Sequence, residues 1–306
     1  MAEKKNDRKS QGMFIISMLI FGTVGVLRRY IPLSSALLAF SRGILGGLFL
    51  LVYMRVKGKG AAEKLPSRVL GGLIAAGAMI GMNWILLFEA YNHTTVAVAT
   101  LCYYMAPTIV VLLSPFIFRE RLTGKKTACA AVSIAGMVLV SGIIGENGGQ
   151  GNSIRGVLLG LGAALFYSGV MIMNKKLQGI DTYRKTTVEL LSAGLVMVPY
   201  LLRTGGFSSE GFSASSVFLL LMLGILHTGI AYALYFGSMD GLRVQTIAVF
   251  SYIDPVSALL FSALLLREPL SILNIIGAAM IIGSAIVSET QKGNCTDSRP
   301  VEGEKT

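Results

Sequence analysis

Five ionisable side chains, Arg42, Glu89, Glu189, His227 and Asp254, lie inside long apolar runs. A guanidinium at the centre of hydrocarbon costs about 2.5–3.5 kcal/mol on insertion scales, so Arg42 must face a protein interior and find a partner there. At about 1.5 Å per residue it stands roughly 12 Å below the end of its run. Asp254 lies near the middle of its run, Glu89 near the outer end of another and Glu189 near the inner end of a third. Depth therefore favours Asp254 or Glu89 as the partner of Arg42, either as a structural ion pair or as two charges that hold the carboxylate and the amine of a zwitterionic ligand. His227 titrates near neutrality and suits a proton relay or a hydrogen-bonded structural role. Around these charges stand Asn83, Trp84, Tyr103, Tyr104, Tyr232 and Tyr252, whose rings, hydroxyls and amide suit the walls of a pocket. The ten residues Arg42, Asn83, Trp84, Glu89, Tyr103, Tyr104, His227, Tyr232, Tyr252 and Asp254 form the candidate ligand-binding set.

Other chemistry is missing. The chain has no phosphate-binding G-x-x-x-x-G-K-[ST] loop, no H-E-x-x-H pair and no G-x-S-x-G elbow. An acid and base pair for a membrane enzyme would have to come from Glu89, Asp254 and His227. The cysteines Cys102, Cys129 and Cys295 are not spaced as a disulfide framework or a metal site. No cofactor and no enzymatic activity are expected, and no basic and aromatic groove points to nucleic acid.

The elements that carry these residues are apolar and long. Of 306 residues 53% are hydrophobic and only 14% charged, and the mean hydropathy is +0.67, outside the range of soluble domains. Ten apolar segments cover roughly 13–27, 34–54, 69–91, 95–118, 127–144, 154–173, 186–202, 215–236, 244–266 and 271–288. Most approach the roughly 20 residues that cross a bilayer as a helix. The net charge of +11 is unevenly distributed: with the N-terminus inside, 21 of the 27 Lys and Arg residues fall on the inner side. That bias marks the cytoplasmic face and predicts a multi-pass protein of the cell membrane with both termini in the cytoplasm.

A constant offset of 148 residues relates Gly81 to Gly229, Trp84 to Tyr232, Pro107 to Pro255, Ser114 to Ser262, Arg119-Glu120 to Arg267-Glu268 and Leu122 to Leu270. The chain is thus two copies of one unit. Its expected divisions are a tail over 1–12, a first repeat over 13–144, a linker over 145–153, a second repeat over 154–288 and a disordered tail over 289–306. Five spans per copy is an odd number, so the second copy enters the membrane inverted, as in secondary transporters. Pro107 and Pro255 each remove an N–H inside an apolar run and free the carbonyls of Tyr103 and Ser251, which predicts either a packing kink or a polar pocket at mid-membrane. The pairs Gly43/Gly47, Gly77/Gly81 and Gly156/Gly160 predict close helix contacts.

The ten spans, the duplication, Arg42 within span 2, the Pro107 and Pro255 helices, and Glu120 and Glu268 followed by Leu122 and Leu270 together resemble the EamA-type drug/metabolite transporter superfamily. The likeness extends over about residues 13–288, and span 1 departs from the commoner pattern in having Phe21-Gly22-Thr23 where a tryptophan is usual. It implies an exporter or exchanger of small metabolites, often amino-acid-like, with a cavity between the repeats and the fifth and tenth spans peripheral. The expected fold is accordingly an all-α membrane bundle of ten transmembrane helices in two inverted five-helix repeats. The expected partners are a small-molecule substrate, the lipid bilayer and a coupling ion such as a proton. Two alternatives stand beside a metabolite transporter: a multidrug exporter of lipophilic cations, and a receptor that binds without transport.

Overall fold

A computed structural model of the chain describes residues 2–58, 65–119, 123–141, 154–177, 179–204, 212–239, 242 and 244–289. Every regular element among them is helical. The elements are α1 (Ala2–Gly22), α2 (Val24–Arg29), α3 (Ser35–Val56), α4 (Ser67–His93), α5 (Val96–Tyr103), α6 (Ala106–Phe118), α7 (Gly124–Val140), α8 (Ile154–Lys176), α9 (Thr182–Thr204), α10 (Ala214–Leu221), a π-helical segment (Met222–Ile230), α11 (Ala231–Met239), α12 (Val244–Phe250), α13 (Ile253–Leu265) and α14 (Ile272–Glu289). The polar residues expected as a tail continue α1 back to Ala2. The expected linker over 145–153, Glu120, Leu122, Cys295 and the tail beyond Glu289 lie outside the described residues.

Among the described residues, seven stretches are long and apolar enough to cross a membrane: Arg8–Arg29, Ser35–Val56, Ser67–His93, Val96–Phe118, Ile154–Lys176, Thr182–Arg203 and Ala214–Met239. Ile253–Leu265 and Ile272–Ser288 are apolar but shorter. Within the ninth apolar segment α12 and α13 are separated at Ser251-Tyr252. Val56, Phe116 and Leu264 are 80%, 84% and 72% exposed. Apolar side chains this open to the outside belong against lipid tails, and the chain is a multi-pass membrane protein.

Helix starts follow from their caps. Ser34, Thr95, Thr123 and Ser213 each accept a hydrogen bond from the backbone N–H three residues on, which satisfies a donor that the first turn leaves open. Pro107 occupies the first turn of α6, where its missing N–H costs nothing. The run therefore divides into two helices at Tyr104-Met105, and its counterpart divides at Ser251-Tyr252. The duplication is visible in the backbone as well: Arg119 and Arg267, 148 positions apart, both take φ 55°, a left-handed value that few residues other than glycine adopt.

One face of α9 packs against both α3 and α4. A Cβ on Gly43 would stand 2.7 Å from the Leu190 carbonyl oxygen, and one on Gly77 would stand 2.6 Å from Ser192 Cβ, so only glycine permits either approach. α8 packs along α4, α1 along α11 and α13, and α7 along α14. Leu38, Phe88, Leu190 and Leu223 centre the larger apolar core. A second one, around Leu101, Val140 and Ile281, holds α5, α7 and α14 together.

Candidate functional site

The helix breaks surround a cavity of about 740 Å³. The α1–α2 break contributes Phe21, Gly22 and Val24, the α5–α6 break Tyr103, Tyr104 and Pro107, and the α12–α13 break Ser251, Tyr252 and Asp254. Continuous helices supply the rest: Arg42 from α3, Asn83, Trp84 and Tyr91 from α4, Tyr167 and Met171 from α8, and Tyr232 and Tyr235 from α11.

Two opposite charges border this space, and each is held by its own neutral partners. Arg42 is buried, with its guanidinium carbon 4.4 Å from the centroid of the Trp84 ring and 6.0 Å from that of Phe88. Its Nε donates to Thr228 Oγ1 at 2.8 Å. The expected ion pair with Asp254 or Glu89 is not formed; among the described residues the ion pairs are Arg29 with Glu268 and His93 with Glu89. A planar guanidinium can lie flat on an indole and still direct an N–H sideways, so an aromatic face and a hydroxyl accommodate it without a carboxylate. Asp254 Oδ2 accepts a hydrogen bond of 2.5 Å from the Tyr104 hydroxyl. The remaining surface is aromatic: Tyr103 meets Tyr104 edge-on at 5.7 Å and Tyr167 at 5.1 Å, and Phe21 meets Tyr232 at 5.2 Å.

Eight of the ten candidate residues border the cavity: Arg42, Asn83, Trp84, Tyr103, Tyr104, Tyr232, Tyr252 and Asp254. The amide of Asn83 is also engaged elsewhere, donating to the Ala163 carbonyl at 2.6 Å and pinning α4 to α8. Glu89 and His227 do not border it. Glu89 follows Trp84 by five positions, and five residues turn an α-helix through about 500°, or some 140° away from the starting face. Glu89 instead accepts from Ser35 Oγ at 2.9 Å and Asn92 Nδ2 at 3.0 Å, and pairs with His93. His227 sits in the π-helical segment with Nε2 2.9 Å from Thr23 Oγ1 and Nδ1 3.2 Å from the Met222 carbonyl oxygen.

The sequence reading missed Tyr91, Tyr167, Tyr235 and Phe21. Tyr91 was within reach, because Ile80, Trp84, Leu87 and Tyr91 recur at helical spacing on one face. Tyr235 stands one turn from Tyr232 on the same grounds. Tyr167 carries no comparable signal, since only the packing of α8 on α4 brings it to the cavity.

One end of the bundle is fastened across the two copies. Arg29 at the end of α2 donates to Glu268 Oε1 at 2.9 Å and to the Thr94 carbonyl at 2.8 Å. Glu268 Oε2 accepts from the first backbone N–H of α5, Val96 N, at 2.8 Å, and from the Ser262 hydroxyl. One carboxylate thus ties together α2, the α4–α5 corner and the segment after α13, and it caps a helix N-terminus. In a chain with its three cysteines replaced by serine, Val24→Cys on the cavity wall should react with a membrane-impermeant maleimide about tenfold faster once Glu268→Ala is added. That is the opening expected from the loss of a charge-assisted bond. An unchanged labelling rate would show that Glu268 is not a closing contact.

Comparison with known proteins accords with this architecture. The EamA-like transporter family model matches twice, over residues 9–142 and 154–290. The chain is 28% identical over 285 residues to the uncharacterized transporter YxxF of Bacillus subtilis (strain 168), covering 92% of this chain and 91% of that one. It is 29% identical over 234 residues to a probable amino-acid metabolite efflux pump of Escherichia coli (strain K12), covering 72% of this chain and 76% of the other. A solved crystal structure superposes with a TM-score of 0.64 at 22% identity, over 92% of this chain and 96% of its counterpart, a likeness of fold. The two family matches and the relatives named as transporters agree: this chain is a membrane transporter, not an enzyme, and belongs to the EamA-like transporter family.

Proposed function

We propose that the chain is a secondary transporter that exports or exchanges a small zwitterionic metabolite of the amino-acid kind across the cytoplasmic membrane. The observation that carries this reading is the pair of unlike charges bordering one cavity, Arg42 and Asp254, each supported by neutral groups instead of by the other. A ligand with a carboxylate and an amine complements both, and the aromatic surroundings suit an apolar side chain. The relative described as a probable amino-acid metabolite efflux pump supports the same class.

The mechanism is alternating access between two inverted five-helix repeats that make ten crossings, with both termini cytoplasmic. Helix pairing supports this. Shifted by one repeat, the contact of α4 with α8 maps onto that of α11 with α1, α6 with α8 onto α13 with α1, and α4 with α9 onto the π-helical segment with α3. The pairs α3 with α9 and α7 with α14 map onto themselves, as elements on a two-fold axis do. The bias of basic residues supports the orientation.

Trp84 is the only tryptophan of the chain and lines the cavity, so its fluorescence reports occupancy. In titrations of the purified protein, phenylalanine should change that emission at concentrations at least tenfold lower than phenethylamine or 3-phenylpropionate, each of which lacks one charge. Sealed proteoliposomes should exchange labelled phenylalanine. A response to tetraphenylphosphonium alone would favour the lipophilic-cation exporter, which the aromatic walls and Asp254 also suit. Saturable binding without flux would favour a receptor.

A further inference from the structure

Outside the cavity, one cluster in the membrane interior is incompletely paired. Glu189 on α9 is 4% exposed and about 10 Å along the helix from its first residue. Its Oε1 is buried with no hydrogen-bond partner, and so is Oδ1 of Asn174 on α8. The two side chains are nevertheless hydrogen-bonded to each other. A carboxylate and a primary amide share only one hydrogen bond, from the amide NH₂, and each is left with an acceptor that nothing satisfies. A carboxylic acid and a primary amide are complementary in both bonds. The added proton turns one orphaned acceptor into the donor that the other lacks.

We propose that Glu189 and Asn174 form a proton-binding site, separate from the substrate cavity, through which transport is coupled to the proton gradient. The inference rests on the transport reading above and gives its coupling ion. A bare buried carboxylate costs several kcal/mol unless it is fully paired, so this position favours a neutral form whenever substrate does not require otherwise. A metal cation fits less well. Lys185, one turn before Glu189, already directs its ammonium at the Asn174 carbonyl at 3.1 Å and the Leu177 carbonyl at 3.4 Å, the oxygens such an ion would need. Those two contacts also hold the end of α8 to α9.

Position links the site to the cavity. Tyr167, Met171 and Asn174 follow one another at i, i+4 and i+7 on α8, so Asn174 continues, one turn lower, the face that lines the cavity. The ionisable groups facing Glu189 are Lys185 on its own helix and Tyr232, a cavity residue on α11. Lys185 is half-buried and lies between Glu189 and the exposed start of α9 at Thr182, which gives a proton a route from that surface. α4 lies close against the α9 backbone beside the site, because a Cβ on Gly77 would collide with the Glu189 carbonyl oxygen. The carboxyl can therefore change state without moving its helix.

Glu189→Gln tests this, since glutamine makes both bonds to Asn174 and imitates the protonated acid. With the full chain in lipid nanodiscs, the infrared difference spectrum between acid and alkaline pH should contain a protonated-carboxyl band that is absent from Glu189→Gln and shifted in Glu189→Asp. Superimposable wild-type and Glu189→Gln spectra would overturn the proposal. In proteoliposomes, Glu189→Gln should exchange labelled phenylalanine within about twofold of wild type. A gradient of one pH unit should let wild type accumulate the label up to about tenfold in one of its two senses and deplete it in the other, the ratio for one proton per substrate, while Glu189→Gln accumulates none in either. Equal accumulation by both proteins would sink the proposal. Should wild type exchange no phenylalanine, the substrate reading fails, and the infrared titration still decides whether Glu189 binds the proton.

Discussion

Asp254→Asn should weaken binding of labelled phenylalanine by about ten- to a hundredfold and leave the melting temperature nearly unchanged. Asparagine has the same shape, and its carbonyl oxygen can still accept from the Tyr104 hydroxyl, which now donates to Asp254 Oδ2 at 2.5 Å. What is lost is the negative charge, and hydrogen bonds to charged groups contribute about 1.5–3 kcal/mol. The change should fall on ligands with an amine and spare 3-phenylpropionate, which has none. Scintillation binding to the purified protein, run alongside thermal unfolding, separates the two effects. Unaltered binding and transport, with unaltered pH dependence, would remove Asp254 from the mechanism.

Arg42→Met should abolish detectable transport while raising thermal stability. The guanidinium contributes its stack on Trp84 and its bond to Thr228, but insertion scales charge about 2.5–3.5 kcal/mol for an arginine at this depth. Thr228 does not lose its last partner, because its hydroxyl also donates to the Leu223 carbonyl at 3.0 Å. A residue whose removal stabilises the fold is retained for what it binds. Arg42→Lys keeps the charge as a compact ammonium without the flat, forked face that matches an indole and a carboxylate, and should bind phenylalanine about tenfold more weakly than wild type. Both variants should shift Trp84 emission even without ligand. Loss of stability together with retained transport in Arg42→Met would show that Arg42 is structural.

The two variants probe residues that were legible from the sequence for different reasons. Asp254 stands out as an acidic residue near the middle of an apolar run, and the helix break beside Pro255 places it on the cavity. Arg42 was found through its cost, but its partner was not. Depth along the chain favoured a carboxylate, whereas the packing of α3 against α4 and the π-helical segment offered Trp84 and Thr228. Glu89 and His227 show the limit of proximity in sequence. Each lies five positions from a cavity aromatic, yet neither borders the cavity; α-helical rotation turns Glu89 away, and His227 lies in the π-helical segment.

By itself the sequence determined that this chain lies in a membrane, that it is helical and duplicated, and where its prolines interrupt it. These properties follow from local composition and from spacing along one chain. The tertiary structure alone decided which side chains meet: Arg42 with Trp84, Arg29 with Glu268 and Val96, and Glu189 with Asn174. Helical periodicity assigns a residue to a face, but the partner of that face depends on how neighbouring helices rotate and slide as their glycine contacts close. Residues more than two hundred positions apart then share a hydrogen bond that no pattern within either segment records.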